Sequence, residues 1–109
     1  GRKNGYHGST MGGGTLGGMS GIHAHGGKIS GIEHIDQPDW WSEGGDMTPE
    51  AFGLARAQQL EAKILELGAD NVAAFIGEVI QGAGGVIVPP STFTLPVSTR
   101  SPPASSTRR

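Results

Sequence analysis

The sequence predicts an α/β fold, and three features of residues 48–90 lead to that prediction. Thr48-Pro49-Glu50 marks the start of a helix, an apolar run follows over residues 72–76, and a glycine-rich loop begins directly after that run. A helix followed by a buried strand and a loop at the strand's carboxyl end is the layout of an α/β unit. Because open α/β sheets bind ligands beyond the carboxyl ends of their strands, we expect a site at this loop.

The helix is predicted over about residues 49–67. Thr48 is a suitable N-cap, Pro suits the first helical position, and Gly68 is a suitable residue to end the helix. Apolar residues recur at helical spacing and predict the buried face: Phe52, Ala55, Leu60, Ile64 and Leu67. Gly53 inside the helix costs about 1 kcal/mol relative to Ala. The prediction therefore depends on the caps and the periodicity.

The apolar run over residues 72–76 is typical of a strand buried on both faces, as in a parallel sheet covered by helices. The loop that follows contains Glu78 and Gln81, which we expect to face a site and not the core. A carboxylate next to a buried strand is costly unless it is paired. The residues alone leave two interpretations of Glu78 open, a functional group or a surface glutamate at a strand end.

Composition and charge exclude several classes of protein. The 109 residues include 20 Gly and 7 Pro, yet they show no Gly-X-Y period, no apolar run long enough to span a membrane and no signal-peptide pattern. The chain has no Cys, which excludes a disulfide framework and favours a cytoplasmic protein. Residues 1–90 contain five bases and all ten acids, a formal charge of −5, which disfavours nucleic-acid binding.

The length allows one modest domain at most, and the composition divides the chain at residue 90. Residues 91–109 hold three arginines and no acid, and 15 of these 19 positions are Ser, Thr, Pro or Arg. Such a segment cannot bury enough apolar surface to offset the entropy of ordering it. We therefore predict a disordered tail over residues 91–109.

Two patterns suggest sites that the surrounding residues do not support. Residues 12–17 satisfy G-x-G-x-x-G, with Asp36 further on, but a polar stretch precedes them where a dinucleotide site requires a strand. His23 and His25, with His7 and His34 elsewhere, could suggest a metal site. They have no acid or third His at a fixed short offset, so exposed loop histidines are favoured and no metal ligand is predicted.

The adjacent Trp40 and Trp41 leave two interpretations open. The pair could form a stacking platform. Alternatively, one ring anchors its loop on the core or on a partner subunit, and this second interpretation is favoured.

A series of motifs, in order and with regular spacing, covers residues 1–90. They are Asn4-Gly5-Tyr6-His7-Gly8-Ser9-Thr10, Leu16-Gly17-Gly18-Met19, His34-Ile35-Asp36-Gln37-Pro38, Gly45-Asp46-Met47-Thr48-Pro49-Glu50 and the run from Val72 through Glu78 to Pro90. Together they resemble the cofactor domain of class III aminotransferases, fold-type-I enzymes that depend on pyridoxal 5′-phosphate. Within that family the resemblance is strongest to the bacterial omega-transaminases.

The resemblance implies a fold and a set of cofactor-binding residues. Residues 1–90 would be part of the large cofactor domain, a mostly parallel sheet flanked by helices. Tyr6 matches the aromatic residue that stacks on the pyridine ring, with His7 and Gly8 directly after it. Glu78 and Gln81 match a loop close to the cofactor. No catalytic residue is assigned.

The resemblance also implies an activity. Enzymes of this family transfer an amino group from an amine or diamine donor to a keto acid such as pyruvate, as homodimers. None of Lys3, Lys28 and Lys63 lies where the family has its Schiff-base lysine, so we expect the 109 residues alone to be inactive.

Two departures from the family pattern lead to further expectations. Val79 stands where the family commonly has Pro, which would loosen the loop. The resemblance ends at Pro90, so we interpret the tail as frameshifted or artificial and the chain as a fragment. The alternative to an enzyme fragment is a non-catalytic, glycine-rich interaction module with a disordered tail.

Overall fold

The computed structural model describes residues 1–26 and 28–93. The helices of this part of the chain are α1 (Met11–Leu16), α2 (Ser20–His23), α3 (Trp40–Glu43) and α4 (Pro49–Leu67), with 3-10 turns at Ala69–Asn71 and Ser91–Phe93. Two isolated bridges join Arg2 to Ile35 in parallel and Gln81 to Ile87 in antiparallel orientation, and the described residues form no longer strand. Within the described ranges, no helix is both long enough and apolar enough to cross a membrane.

Helix α4 confirms the sequence prediction and its caps. It spans Pro49–Leu67; the Thr48 hydroxyl accepts a hydrogen bond from the Ala51 amide at 3.2 Å, and Gly68 ends the helix at φ +91°. The predicted buried face was wrong at one position, because Ala55 is exposed and Ala57 is buried instead. The helical period places residues 53, 57, 60 and 64 on one face, and that face meets the core.

The core forms where α4 meets apolar residues that precede and follow it in the chain. It comprises Ile35, Ala57, Leu60 and Phe93, with Ile64 and Phe75 packed against them. Phe93 is only 5% exposed. A small set of apolar side chains therefore holds α4 against the segments that precede and follow it.

The sequence prediction places the start of the disordered tail at residue 91, but residues 91–93 are ordered in the structure. Ser91–Phe93 form a 3-10 turn that packs on α4, where the Thr92 hydroxyl donates to the Glu50 carbonyl at 2.8 Å. Gly53 allows this approach, because a Cβ there would lie 2.1 Å from Thr92 Oγ1. Burial of the Phe93 ring offsets part of the ordering entropy of this short turn. The rest of the predicted tail, residues 94–109, lies outside the described residues.

The sequence predicts a strand over residues 72–76 that is buried on both faces. In the structure several of these residues are exposed. Val72 has extended backbone angles, but Ala73 and Ala74 are exposed and Ile76 is 45% exposed. A parallel strand is buried only by strands and helices on either side of it. Within the described residues no strand pairs with this segment, so the parallel sheet stays a prediction.

Asp36 joins the N-terminal segment to α4 and makes the stability depend on pH. Its carboxylate lies 2.6 Å from Lys3 Nζ and accepts a hydrogen bond from the Gln59 amide at 3.0 Å. The pKa of Asp36 is lowered below its usual value of 3.8, first by the hydrogen bond to Lys3 and then by that to Gln59.

We therefore expect the Asp36→Asn chain to be less stable at neutral pH, by at most about 1 kcal/mol because the Lys3 partner is exposed. A lowered carboxyl pKa stabilises the fold above the unfolded pKa, and this contribution is lost as the pH falls through the folded pKa. Urea unfolding of both chains from about pH 7 to about pH 1.5 tests this. A difference between the chains that persists in acid would contradict it.

Candidate functional site

The glycine-rich loop and the N-terminal segment meet at the carboxylate of Glu78. Its Oε2 atom accepts a hydrogen bond from the Tyr6 amide at 2.9 Å, and its Oε1 atom accepts one from the Gly82 amide at 3.3 Å. The structure thus brings together two predicted site residues, Tyr6 and Glu78, that are 72 residues apart in the sequence. Glu78 is partly buried and paired, so it is not an isolated surface glutamate.

Gln81 is buried, contrary to the expectation that it would face an open site. It is 0% exposed, its Nε2 donates to the Lys3 carbonyl at 3.2 Å, and its backbone exchanges two hydrogen bonds with Ile87. The loop folds back on itself at this bridge and covers the side chain with the N-terminal segment. Gln81 Oε1 is a buried acceptor that has no hydrogen-bond donor among the described residues.

The turn that presents Tyr6 is fixed from two sides. Asn4 has a left-handed backbone at φ +60°, and its side-chain amide donates to Gln37 Oε1 at 2.9 Å. A Cβ on Gly84 would lie 2.4 Å from the Asn4 carbonyl oxygen. Only glycine permits this close approach of the two backbones.

Tyr6 and Gly8 leave free space on the outer side of this turn. The Tyr6 side chain is 41% exposed, and Gly8, at φ +108°, has no atom within 4 Å of the position of a Cβ. A planar aromatic cofactor could stack on the exposed Tyr6 ring. These residues therefore fit the ring of pyridoxal phosphate.

His7 lies in the segment that leads into α1, three residues before the N-cap Thr10. Its carbonyl oxygen would lie 2.4 Å from a Cβ on Gly13, so the chain passes very close to the helix at this point. His7 is partly buried, between the exposed Tyr6 and the open Gly8. The structure therefore places all three predicted residues of this motif on one turn.

The lysines do not complete a covalent cofactor site. Lys3 Nζ pairs with Asp36 at 2.6 Å, and Lys63 Nζ pairs with Glu66 at 3.4 Å. Lys28 lies in an exposed stretch beside the undescribed residue 27. The residues present fit the cofactor's ring and not its covalent attachment.

The glycines of residues 12–17 form a helix and not a phosphate-binding loop. They lie in or directly after α1, which Thr10 caps by accepting a hydrogen bond from the Gly13 amide at 3.1 Å. A dinucleotide site requires these glycines to form a turn after a strand. The arrangement of these glycines therefore differs from that of a dinucleotide site.

The histidine interpretation is corrected for His23. This residue is partly buried in α2, and its Nε2 lies 2.8 Å from the Gly17 carbonyl, which also lies 2.9 Å from Nε2 of His34. Both rings thus bind the backbone at the end of α1. His25 is exposed, as expected, and the described residues contain no group of three or more His, Cys, Asp or Glu positioned for a metal.

The indole of Trp40 is hydrogen-bonded within its own loop, and anchoring of one ring on the core or on a partner subunit stays a prediction. Its indole N–H donates to the Met47 carbonyl at 2.8 Å, and its ring meets that of Trp41 edge-on at 5.2 Å between centroids. Trp41 is 88% exposed. The two adjacent rings therefore differ in their surroundings.

Sequence reasoning did not identify Arg2, which the structure places beneath this site. Arg2 is 3% exposed, and its Nη2 donates to the Glu78 carbonyl oxygen. Burial lowers the pKa of Arg2, and the nearby negative charge of Glu78 opposes that change. No local sequence pattern distinguishes it from an ordinary exposed arginine.

Comparison with known proteins places this geometry in a family. The chain is 64% identical over 94 residues to the putrescine–pyruvate aminotransferase of Pseudomonas aeruginosa, covering 85% of this chain and 21% of that one. It is 38% identical over 96 residues to the diaminobutyrate–2-oxoglutarate transaminase of Halomonas elongata, covering 84% of this chain and 20% of that one. No family model matches.

The fold agrees with these relatives. The structure superposes on the omega-transaminase of Pseudomonas jessenii in complex with PMP with a TM-score of 0.81 and 40% identity, over 84% of this chain and 21% of that one. This chain is therefore a segment of the transaminase fold. Its sequence family is that of the class III, pyridoxal-phosphate-dependent aminotransferases. The chain spans about a fifth of the length of the relatives it matches.

Proposed function

We propose that this segment contributes the pyridine-stacking part of the cofactor site in a pyridoxal-phosphate-dependent transaminase. The donor is an amine or diamine and the acceptor a keto acid such as pyruvate, as the name of the relative with 64% identity suggests. The observation that supports the proposal is the hydrogen bond from the Tyr6 amide to Glu78. It joins the motif that stacks on the cofactor to the loop that approaches it.

The proposed cofactor site assigns a part to four residues of the segment. Pyridoxal phosphate supplies an electron sink that stabilises negative charge at the donor's Cα. The Tyr6 ring would cover one face of the pyridine, and Gly8 would leave room beside it, since no atom lies within 4 Å of the position of a Gly8 Cβ. Glu78 keeps the Tyr6 backbone at a fixed distance from the loop by accepting its N–H. Gln81 supports the loop from below through the Lys3 carbonyl.

The remaining predictions belong to the whole enzyme. We propose that residues 1–90 are part of its large domain and that residues 72–76 become a central parallel strand when neighbouring strands cover them. A homodimer and a cytoplasmic location are proposed with the family. That the 109 residues alone are inactive stays a prediction.

The proposal can be tested in a hybrid enzyme. We define the hybrid as the P. aeruginosa putrescine–pyruvate aminotransferase whose matched segment is replaced by the corresponding residues of this chain. We expect the hybrid to bind pyridoxal phosphate and to convert putrescine and pyruvate. A folded hybrid, verified by circular dichroism, that neither binds the cofactor nor turns over would overturn the proposal and favour the interaction module.

Tyr6 provides a direct test of the stacking role within the hybrid. We expect Tyr6→Ala to weaken cofactor binding about tenfold, because an aromatic stacking pair contributes about 0.5–1.5 kcal/mol beyond its buried area. Tyr6→Phe is the matched control, since it keeps the ring and should change the affinity less than about twofold. Absorbance titration of the apoenzyme measures both. Equal losses in the two variants would contradict stacking.

A further inference from the structure

Arg2 is a buried cation whose contacts converge on the Glu78 loop. Its side chain is 3% exposed, and its Nη2 donates to the Glu78 backbone carbonyl. The guanidinium carbon lies 5.5 Å from the centroid of the Phe93 ring, which is itself buried. Burying an arginine is costly, so its contacts have to compensate for the lost hydration.

The loop is built around this guanidinium. A Cβ on Gly77 would lie 3.2 Å from both Cζ and Nε of Arg2, so a larger residue would displace the side chain. Arg2 also holds its own segment in place, because its carbonyl accepts a hydrogen bond from the Gly5 amide at 3.0 Å. The same residue thus fixes the start of the Tyr6 turn and the backbone of Glu78.

Glu78 connects Arg2 to the Tyr6 backbone. Arg2 fixes the Glu78 backbone, and the Glu78 carboxylate accepts the Tyr6 amide at 2.9 Å and the Gly82 amide at 3.3 Å. A shift of the Glu78 backbone would lengthen both of these hydrogen bonds. The chain of contacts from Arg2 to Tyr6 therefore contains one intermediate residue.

We propose that Arg2 is a positioning residue for the cofactor site, acting through Glu78 to set the distance between the Tyr6 turn and the glycine-rich loop. This inference rests on the proposed function, because its effect appears as cofactor affinity. It goes further by assigning a role to a buried residue that does not touch the cofactor.

A double-mutant cycle in the hybrid enzyme tests the proposal. Arg2→Met and Glu78→Gln are made singly and together, and the cofactor dissociation constant of each apoenzyme is measured by absorbance titration. Each single change should weaken binding about tenfold, since each removes a hydrogen bond that involves a charged group. If Arg2 acts through Glu78, the double variant should bind within about twofold of the weaker single variant.

Arg56 offers a matched control. Its guanidinium carbon lies 4.5 Å from the Phe52 ring centroid, and its Nε donates to the Gln37 carbonyl at 2.9 Å, so it makes contacts of the same kind outside the glycine-rich loop. We expect Arg56→Met to change cofactor affinity less than about twofold and to combine additively with Glu78→Gln. Arg2→Lys keeps the charge and one donor and should restore part of the affinity.

Additive losses for Arg2→Met and Glu78→Gln, about a hundredfold together, would overturn the positioning role. An affinity unchanged by Arg2→Met would overturn it as well. Where Arg2→Met does not fold, the same cycle with Arg2→Gln, which also removes the charge, decides on the same criterion. A wild-type hybrid that binds no cofactor contradicts the proposed function itself, so the two failures are distinguishable.

Discussion

Replacing Gly84 by Ala is expected to weaken cofactor binding by the hybrid enzyme more than tenfold and to destabilise it by about 2–3 kcal/mol. The added Cβ would lie 2.4 Å from the Asn4 carbonyl oxygen and 3.2 Å from the Asn4 Cβ. A backbone carbonyl cannot rotate away as a flexible side chain does, so the loop has to move off the N-terminal segment. That movement separates Glu78 from the Tyr6 amide, which are joined at 2.9 Å.

Gly82→Ala is the control for this prediction. Gly82 lies in the same loop, and no atom lies within 4 Å of the position of its Cβ. The two variants add the same methyl group to one loop and differ in the space available to it. We expect Gly82→Ala to change stability by less than about 0.5 kcal/mol. Thermal unfolding and cofactor titration of both variants measure the difference, and equal effects would contradict the close approach.

The elements that sequence reasoning found correctly depend on local signals. Helix α4 has its N-cap, its first-turn proline and its terminal glycine within the segment they delimit, so they predict Pro49–Leu67 without knowledge of the rest of the fold. The sequence was less informative about which apolar residues of α4 are buried. A helix has several apolar residues, and the partner segment decides which of them are covered, as Ala55 and Ala57 show.

The site was only partly predictable, because its geometry is non-local. Motif resemblance singled out Tyr6 and Glu78 separately, but the hydrogen bond between them spans 72 residues and has no sequence signature. Gln81 was expected to face the site, because a strand followed by a glycine loop usually exposes the loop to ligand. In this chain the loop bridges back to Ile87, which buries Gln81 against the Lys3 carbonyl. No local sequence pattern indicated that Arg2 is buried or that it contacts the Glu78 loop.

The tail boundary shows how composition misleads over short distances. Residues 91–109 are predominantly polar in composition, and this overall count gives no weight to the single aromatic residue, Phe93. That ring packs with Ile35, Ala57 and Leu60 in the core. The entropy argument for disorder holds only where no side chain of the segment finds a buried place.

Phe93→Ala is therefore expected to destabilise the hybrid enzyme by about 3–5 kcal/mol, the range for removing a buried aromatic ring. The change leaves a cavity against Leu60 and also removes the ring over which the Arg2 guanidinium lies at 5.5 Å. We expect a second effect for that reason, a weaker cofactor affinity, since Arg2 loses one of the contacts that fix it beneath Glu78.

Leu65→Ala is the matched control for this prediction, because Leu65 lies on α4 but is 71% exposed. It should change stability by less than about 0.5 kcal/mol and leave cofactor binding unaltered. Thermal unfolding of the two variants compares them directly. A loss for Phe93→Ala no larger than that for Leu65→Ala would mean that the Phe93 ring is not packed in the core. A large loss supports the burial of Phe93 with Ile35 and Leu60, because an exposed residue has little packing energy to lose.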